Sequence, residues 1–231
     1  MSTDPHDDAA SLHRTDVASA DFYREARERM VENQLARRDI VNPAILDAMK
    51  SVPRHEFVPT KLRRLAYDDS PLPIGKGQTI SQPYIVALMT QLVAPESHHK
   101  ALDIGTGSGY QAAVLSELVK NVYSIEIVES LADAADERLQ QLGYKNIRVR
   151  HGDGYHGWQS EAPFHVIIVA AAPDHIPKAL IEQLAPGGKL VIPVGKDYQK
   201  LIVVEKQQDG TVVQREIAPV VFVPMTGEAS K

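Results

Sequence analysis

The sequence predicts an α/β fold with a doubly wound, mostly parallel sheet, preceded by helices and followed by an antiparallel hairpin. Strand and helix patterns alternate from residue 101 to residue 194, which is typical of a parallel sheet covered by helices on both faces. The run from Phe164 to Ala172 is almost continuously apolar, as expected for a strand buried on both faces. Nearer the C-terminus, β-rich segments at 201–205 and 211–215 flank Asp209-Gly210, a pattern that indicates a hairpin.

Length and composition limit the class of protein. A chain of 231 residues is expected to form one domain, and a formal charge of −5 argues against a broad nucleic-acid surface. The absence of cysteine excludes disulfides and thiolate zinc sites. No stretch reaches the ~18 apolar residues of a membrane span, and the polar N-terminus has no signal-peptide pattern. We therefore expect a cytoplasmic protein without nucleic-acid or membrane partners, and we expect residues 1–20 to be disordered.

Two helices precede the predicted sheet. Residues 21–38 have a charged amphipathic pattern that predicts a helix with one apolar face. That face comprises Phe22, Ala26, Met30, Val31 and Leu35. Asn42 and Pro43 suit the N-cap and first position of a second helix, which Val52-Pro53 ends. The apolar face of this second helix comprises Ile45, Leu46 and Met49.

Residues 67–82 are expected to be an ordered loop, because prolines are concentrated in its first half and glycines in its middle. A helix is expected at 84–92. The loop is rich in hydroxyl and amide side chains and lies just before the next strand, so it is a candidate wall of an active site. The alternative is a simple connector in which Thr79 and Ser81 only cap the following helix.

A glycine-rich turn follows a short apolar strand at 101–104 and precedes a helical pattern at 111–118. Its alternating glycines are Gly105, Gly107 and Gly109. Glycines let a ligand approach the backbone, and the helix N-terminus offers free N–H groups. The spacing differs from the G-x-G-x-x-G of dinucleotide sites, and Asp103 at the strand end suits the ammonium and sulfonium of S-adenosylmethionine. A plain glycine-rich turn without a ligand is the alternative.

Acidic residues end three successive predicted strands. Asp103 ends the first, Glu126 ends a strand at 122–126, and Asp153 follows a third strand at 147–149. Ligands of such sheets bind outside the carboxyl ends of the strands. An acid at the end of the second strand accepts hydrogen bonds from a ribose diol, and an acid after the third is well placed for an adenine amino group. Together the three acids predict one ligand site.

The remaining pattern completes the sheet. A helix is expected at 131–142, where Gly143 closes it. Another is expected at 177–184, where the turn 185–188 ends it. A fifth strand is expected at 189–194, and a last strand at 220–224.

The segment before the glycine-rich strand is the most distinctive in the chain. It reads Pro71-Leu72-Pro73-Ile74-Gly75 and then, after Lys76, Gly77-Gln78-Thr79-Ile80-Ser81-Gln82-Pro83-Tyr84. With supporting segments at 52–59, 152–158 and 193–195, the chain from about Met30 to Thr226 resembles the protein-L-isoaspartate O-methyltransferase family. The resemblance implies a Rossmann-like sheet of the S-adenosylmethionine-dependent methyltransferase type.

The resemblance also implies an activity. This activity is methyl esterification of the free α-carboxylate of L-isoaspartyl residues in damaged proteins, which starts their repair through a succinimide. It implies S-adenosylmethionine as cofactor, S-adenosylhomocysteine as product, isoaspartyl-containing proteins and peptides as substrates, and no metal. We expect a monomer in which residues 21–231 form one methyltransferase domain, with 21–98 as helical part and active-site loop and 99–231 as core.

Site residues follow from the resemblance position by position. Ser81 matches the catalytic serine of the family. The implied cofactor-binding residues are Gln78, Thr79, Ser81, Asp103, Gly105, Thr106, Gly107, Ser108, Gly109, Glu126, Asp153 and Gly154. The implied substrate-binding residues are Thr79, Ile80, Ser81 and Thr226.

Three positions depart from the family pattern, and other functions stay open. Asp39 replaces a usual glycine and is expected to take the left-handed conformation, His165 replaces an aspartate, and Ala170 replaces a threonine. The alternatives are methylation of another carboxylate or small molecule, and a non-catalytic S-adenosylmethionine-binding domain. Methylation of nucleic-acid bases is disfavoured, because Ala-Ala-Ala-Pro at 170–173 offers no amide or acid to hold an exocyclic amine.

Overall fold

The computed structural model describes residues 21–230, so the expected disorder of residues 1–20 lies outside the described part. The strands are β1 (Leu72–Gly75), β2 (Gln78–Ile80), β3 (Lys100–Ile104), β4 (Asn121–Glu126), β5 (Ile147–His151), β6 (Phe164–Val169), β7 (Leu184–Val194), β8 (Gln199–Lys206) and β9 (Val212–Val220). The helices are α1 (residues 21–30, continued by the π-helix Val31–Ala36), α2 (Pro43–Ser51), α3 (Pro83–Leu92), α4 (Tyr110–Ser116), α5 (Glu129–Gln141) and α6 (Lys178–Glu182). Short 3₁₀ helices lie at Arg54–Phe57, Thr60–Leu65, Gly154–His156, Gln159–Glu161 and Gly227–Ser230. None of the helices in this part of the chain is both long and apolar enough to cross a bilayer.

Seven strands form one sheet in the order β5-β4-β3-β6-β7-β8-β9. The strands from β5 to β7 in this order pair in parallel, and β8 and β9 are added antiparallel. The chain runs outwards from β3 to β5 and then returns to β6 on the other side of β3, so the strand order reverses between β3 and β6. Ligands of open α/β sheets bind at such a switch point. The predicted doubly wound sheet and the C-terminal hairpin are confirmed.

Side chains of the central strands alternate between two hydrophobic clusters. Ala101 and Val122 belong to the cluster that the N-terminal helices and α4 complete. Leu102 and Ile125 belong to the cluster on the other face, which includes Leu180 of α6. All five side chains are at most 1% exposed. Burial on both faces explains why these strands are apolar throughout rather than alternately polar.

The helix caps and faces at the N-terminus follow the sequence with one exception. The Asn42 side chain accepts a hydrogen bond from the amide of Ala44, and Pro43 begins α2, which confirms the predicted cap. Most of the predicted apolar face of α1 is buried or half-buried. Phe22 is the exception at 45% exposed, and its ring has an edge contact with Tyr23.

Asp39 does not take the left-handed conformation expected of it. Within the described residues, the non-glycine positions with positive φ are Lys76 and Ala94. The Oδ1 atom of Asp39 instead accepts a hydrogen bond from the Tyr84 hydroxyl at 2.8 Å. The turn does not need a glycine here because φ of Asp39 is not positive.

The segment 67–82 is more regular than the expected loop. Strands β1 and β2 pair antiparallel, with Leu72 opposite Ile80, and Lys76 and Gly77 close the turn between them with φ values of 55° and 72°. The prolines argued against strands, but Pro73 lies in a two-stranded ribbon, where both strands are edges and an N–H can be missing.

Residues 185–188 belong to β7 and not to a turn that ends α6. Phe164 of β6 pairs with Leu184, and Val166 pairs with Lys189, so these four residues bulge between two points of pairing. At Gly188, an added Cβ would lie 3.0 Å from the carbonyl oxygen of Phe164. The glycine therefore allows close approach to β6, which the sequence pattern does not distinguish from turn formation.

The predicted last strand at 220–224 is wrong, and β6 ends before Ala172. Strand β9 ends at Val220, and Val221 is 96% exposed. The chain then crosses to the end of β6, where the amide of Ala172 donates to the carbonyl of Val223 and the amide of Met225 donates to the carbonyl of Ala172. Met225 is 7% exposed and packs in the same hydrophobic cluster as Ile104 at the end of β3.

Three imidazoles pack together at the amino end of β3. The rings of His99 and His165 stack with centroids 4.7 Å apart, and the ring of His98 lies 4.6 Å from that of His99. The Nδ1 atom of His99 accepts the amide of Glu96, and that of His165 accepts the amide of Lys100. Burial, followed by the neighbouring positive groups, lowers the pKa of both His99 and His165 below the usual histidine value.

The contribution of these two histidines to stability should therefore fall on acidification. Because their pKa values are lower in the folded chain, the unfolded chain binds more protons at these two positions below about pH 6.5. As the pH falls from about 7 to about 5, the free energy of unfolding of the native chain should therefore decrease relative to that of the double variant His99→Gln/His165→Gln. Asp103, whose pKa burial raises to about 7, acts in the opposite direction, but equally in both proteins. His55, whose pKa is also lowered by burial, keeps part of the dependence in the variant.

Urea unfolding followed by circular dichroism measures this difference. Above about pH 7.5 the imidazoles are neutral in both states, and the two proteins should then show the same pH dependence. An equal dependence in the acid range would contradict the role given to His99 and His165.

Candidate active site

A pocket opens at the carboxyl ends of β3, β4 and β6, where the strand order reverses. It holds about 860 Å³ of empty space, its open mouth included. One wall is the turn after β3 with the neighbouring strand ends, and it includes Ile104, Gly105, Thr106, Gly107, Ser108, Ile125, Glu126, Ile127 and Gly154. The second wall, which we call the Ser81 wall, comprises residues 78–81. The third is the C-terminal segment, residues 223–230, of which Val223, Pro224, Met225 and Thr226 line the pocket.

The turn after β3 requires glycine at its three alternating positions. Gly105, Gly107 and Gly109 have φ values of 87°, 52° and 90°, which side chains rarely allow. A Cβ added at Gly107 would lie 3.3 Å from Ile74 of β1, and one at Gly109 would lie 3.2 Å from Leu139 of α5. The glycines therefore let the turn pack between these elements while its backbone borders the pocket.

Glu126 connects the end of β4 to this turn. Its side chain lines the pocket and is 5% exposed. Its Oε2 accepts the amide of Gly107 at 2.8 Å, and its Oε1 accepts the amide of Val128 at 2.9 Å. A carboxylate has about four acceptor positions, so each oxygen keeps room for a ligand hydroxyl. Glu126 thus lines the pocket, and its predicted contact with a ribose stays a prediction.

Asp103 lies behind the pocket rather than in its lining. It is 0% exposed, and its Oδ2 accepts the hydroxyl of Ser124 at 2.7 Å. Its Oδ1 is buried without a hydrogen bond from any described residue. Burial raises its pKa to about 7, an effect that the charge of Glu126 increases and the hydrogen bond from Ser124 opposes. The side chain predicted to meet a ligand ammonium is thus separated from the pocket surface.

Gly154 and Asp153 occupy different places. Gly154 lines the pocket, and a Cβ there would collide with Ile104, so glycine keeps this end of the pocket open. Asp153 does not line the pocket. Its Oδ1 accepts the amide of Tyr155 at 2.9 Å, and its Oδ2 accepts the amide of Glu228 at 2.8 Å.

The Ser81 wall faces the glycine-rich turn across the pocket. The N-cap of α3 is Gln82 without a side-chain cap bond, so the alternative in which Thr79 and Ser81 cap this helix is wrong. The carbonyl of Ser81 accepts a hydrogen bond from Arg54. Among residues 21–230, the Ser81 hydroxyl takes part in no hydrogen bond and is available to a ligand.

Arg54 supports the Ser81 wall from behind, and the sequence analysis did not select it. It is 0% exposed, and it donates from Nε to the carbonyl of Ala66 and from Nη2 to that of Ser81, both at 2.7 Å. Its guanidinium lies 4.8 Å from the ring centroid of Tyr110, which lines the pocket. Burial lowers its pKa to about 10, so it remains charged at neutral pH. Its only signal in the sequence was its place in the 52–59 segment.

Most of the predicted site residues meet in this pocket. Those that line it are Gln78, Thr79, Ile80, Ser81, Gly105, Thr106, Gly107, Ser108, Glu126, Gly154 and Thr226. Those that do not are Asp103, Gly109 and Asp153. Lining residues that the sequence analysis did not select as site residues are Val86, Met89, Ile104, Tyr110, Gln111, Ile125, Ile127, Ala170, Ala171 and Val223 to Met225. The helical period of α3 and α4 could have shown which of these share a face, but not that this face borders a pocket.

Comparison with known proteins identifies the family. Residues 25–230 match the family model described as protein-L-isoaspartate(D-aspartate) O-methyltransferase. The chain is 53% identical over 221 residues to protein-L-isoaspartate O-methyltransferase 2 of Syntrophobacter fumaroxidans, covering 91% of this chain and 90% of that protein. It is also 53% identical over 223 residues to the protein of the same name from Shewanella sediminis, covering 96% of this chain and 91% of that protein.

Solved structures agree with these relatives. A putative protein-L-isoaspartate O-methyltransferase from Plasmodium falciparum, in complex with S-adenosyl-L-homocysteine, has a TM-score of 0.75 at 26% identity and covers 87% of this chain and 98% of that one. A second protein-L-isoaspartate O-methyltransferase has a TM-score of 0.79 at 27% identity and covers 88% of this chain and 67% of that one. Since the family model spans nearly all the described residues and the relatives match over most of both chains, the chain belongs to the protein-L-isoaspartate(D-aspartate) O-methyltransferase family.

Proposed function

We propose that this chain transfers the methyl group of S-adenosylmethionine to the free α-carboxylate of L-isoaspartyl residues in damaged proteins and peptides. The observation that carries the proposal is that the glycine-rich turn, the Ser81 wall and the C-terminal segment line one pocket. A methyl donor held on the turn would lie beside a carboxylate held by the Ser81 wall. The reaction itself is that of the family. The arrangement of the pocket indicates which residues would bind the methyl donor and which would bind the carboxylate.

The turn and its neighbours fit the cofactor. When bound, S-adenosylmethionine supplies a methyl group on a sulfonium. We assign its ribose to Glu126, whose oxygens keep free acceptor positions, and its close backbone contacts to Gly105 and Gly107. We assign its adenine end to the space beside Ile127 and Gly154, which a Cβ at Gly154 would disturb. The relative from Plasmodium falciparum holds S-adenosyl-L-homocysteine, the product of such a transfer.

The substrate carboxylate needs no general base, because a pKa near ~4 leaves it ionised at neutral pH. Its attraction to a sulfonium at about 4 Å is worth roughly 4 kcal/mol at an effective dielectric near 20, but this attraction stabilises the ground state as well. Alignment of the reacting atoms must supply most of the acceleration, and it can supply about 7–11 kcal/mol. The catalytic residues are therefore those that fix the carboxylate in line with the methyl group.

The Ser81 wall is suited to this task. The Ser81 hydroxyl is uncommitted, and its main chain is fixed by Arg54. A hydrogen bond to a charged acceptor contributes about 1.5–3 kcal/mol. Thr79 and Thr226 place two further hydroxyl side chains in the lining. Contacts of this kind recognise the abnormal carboxylate, so the neighbouring side chains of the substrate can vary.

The steps that follow methyl transfer are reactions of the substrate itself and need no further residues of this chain. A backbone nitrogen of the substrate attacks the new ester and releases methanol, and the resulting succinimide hydrolyses in part to normal aspartate. We propose isoaspartyl-containing proteins as the partners of this chain. The monomeric state, the cytoplasmic location and the lack of nucleic-acid or membrane partners stay predictions.

Removal of the Ser81 hydroxyl should slow the reaction. We expect Ser81→Ala to lower kcat/KM for an isoaspartyl peptide by about 10- to 100-fold, because one hydrogen bond to a charged group is lost. Transfer of a radiolabelled methyl group to the peptide measures this, and the same peptide with normal aspartate is the blank. Ser97→Ala, exposed at the opposite end of the sheet, is the matched control. A wild-type kcat/KM in Ser81→Ala would exclude the catalytic role, and equal methylation of both peptides by the native chain would overturn the proposed function.

Loss of the Glu126 carboxylate should weaken cofactor binding. Glu126→Ala removes the acceptors for the ribose and the anchors of Gly107 and Val128, so we expect the Kd for S-adenosylhomocysteine to rise at least about tenfold. Glu126→Gln keeps one acceptor oxygen and should have an intermediate Kd in the same calorimetric titration. Glu129→Ala, exposed at the start of α5, should bind like the native chain. An unchanged Kd in Glu126→Ala would show that the ribose assignment is wrong.

A further inference from the structure

The lining of the pocket contains no cation that could pair with a carboxylate. Of the described residues that line it, Glu126 alone has a charged side chain, and it lies on the wall formed by the turn after β3. The Ser81 wall is uncharged. A carboxylate that enters such a pocket loses part of its hydration, and a nearby positive charge is needed to offset this loss. That charge must therefore lie behind the lining.

Arg54 is a cation in this position. Its side chain is 0% exposed and does not line the pocket. Its Nη2 atom donates to the carbonyl of Ser81 at 2.7 Å, and its guanidinium lies 4.8 Å from the ring centroid of Tyr110. Ser81 and Tyr110 both line the pocket. The positive charge is therefore separated from the pocket by a single layer of residues.

The charge of Arg54 has no counter-ion in the part of the chain that the structure describes. The guanidinium forms no ion pair there, and its Nη1 atom is buried without a hydrogen bond. Burial lowers its pKa to about 10, and the neighbours that oppose this effect are the phenols of Tyr110 and Tyr67, not carboxylates. A charge that the protein does not neutralise acts over several ångströms in a medium of low dielectric. Its field therefore extends into the pocket.

The charges around the pocket lie on opposite sides. The Glu126 carboxylate is on the wall of the turn, and the Arg54 guanidinium is behind the Ser81 wall. In the proposed function the sulfonium lies on the side of the turn, and the substrate carboxylate lies on the side of Ser81. Each reacting charge is thus placed nearer to the protein charge of opposite sign.

We propose that Arg54 determines the selection of an anionic substrate, because its buried charge is the counter-ion of the substrate carboxylate across the Ser81 wall. Arg54 does not touch the carboxylate and acts through the field of its guanidinium. The same field disfavours the sulfonium of a cofactor that is bound without substrate. The inference rests on the proposed function, since it takes the Ser81 wall as the site of the carboxylate.

Two cofactor ligands that differ by one charge test the field of Arg54. S-adenosylmethionine carries a sulfonium, whereas S-adenosylhomocysteine has a neutral thioether in the same place. Arg54→Gln and Arg54→Lys both shorten the side chain and keep a donor for a carbonyl, but only lysine keeps the charge. We expect the ratio of the Kd for S-adenosylmethionine to the Kd for S-adenosylhomocysteine to fall about threefold in Arg54→Gln and to stay native in Arg54→Lys. Calorimetric titration measures both Kd values.

The ratio separates a charge effect from a structural one. A variant that loosens the Ser81 wall or is partly unfolded raises both Kd values by the same factor, so their ratio does not change. Arg54→Met, which is neutral and close to arginine in length, repeats the comparison without the donor. It should give the same lowered ratio as Arg54→Gln.

Steady-state kinetics with an isoaspartyl peptide test the counter-ion. We expect Arg54→Gln to raise KM for the peptide about tenfold and to leave kcat within about twofold, because the carboxylate loses its charge on the way to the transition state. Arg54→Lys should keep KM within about threefold of native. Arg150→Gln is the matched control, since Arg150 donates to the carbonyl of Gly157 at 3.0 Å and lies 4.2 Å from the ring centroid of Trp158, and neither partner lines the pocket. It should leave KM and the Kd ratio unchanged.

A purely structural role gives a different pattern. In that case Arg54→Gln and Arg54→Lys both lower kcat, and the Kd ratio and KM stay native, which would overturn the inference. Equal increases in both Kd values with an unchanged KM would also overturn it, because the charge would then serve a group common to both cofactor ligands. The Kd ratio is measured without substrate. A lowered ratio in a chain that methylates no isoaspartyl peptide would therefore refute the proposed function and leave the field of Arg54 in the pocket standing. Normal methylation with a native ratio and KM in Arg54→Gln would refute this inference alone.

Discussion

The geometry of the pocket depends on the carboxylate of Glu126. One of its oxygens binds the amide of Gly107 in the turn after β3, and the other binds the amide of Val128 before α5. A turn rich in glycine has many accessible conformations, and a carboxylate at 5% exposure is costly to bury without hydrogen bonds. The hydrogen bond from the Gly107 amide satisfies the buried Glu126 carboxylate and fixes the turn. The turn is therefore ordered before any ligand binds. A preorganised turn of this kind reduces the entropy lost on binding.

The opposite side of the pocket depends on a buried cation. Arg54 forms no ion pair within the described residues, and its Nη1 is buried there without a hydrogen bond. Burial of an unpaired charge costs several kcal/mol, and two carbonyls and the ring of Tyr110 offset part of this cost. In return, the main chain at Ser81 is held in one position, as alignment of a substrate carboxylate requires. The positive charge also lies on the side of the pocket to which we assign the substrate carboxylate.

The features that the sequence predicted correctly are set by residues close together in the chain. The cap at Asn42, the hairpin around Asp209-Gly210 and the glycine-rich turn are examples. The roles of the acids at the strand ends could not be predicted in this way, because Asp103, Glu126 and Asp153 occupy similar positions in the sequence pattern. Contacts with distant segments separate them, since Asp103 is buried against Ser124 and Asp153 binds the C-terminal segment. The bulge of β7 and the course of residues 220–224 escaped prediction for the same reason, because partners across the sheet decide both.

The surroundings of the pocket favour a polypeptide over a small-molecule substrate. A second groove of about 1350 Å³ of empty space adjoins the pocket and shares Thr79, Ser81, Ala170 and Val223 with it. The groove continues along residues 219–222 past the end of β9. A free carboxylic acid of low mass would need the pocket alone, whereas an isoaspartyl residue must leave room for the chain on both of its sides. Ala170, which follows β6, lines both the pocket and the groove. In the proposed function, the parallel sheet therefore provides the cofactor end of the site, and the groove formed by the segments before and after it is the path that we assign to the substrate backbone.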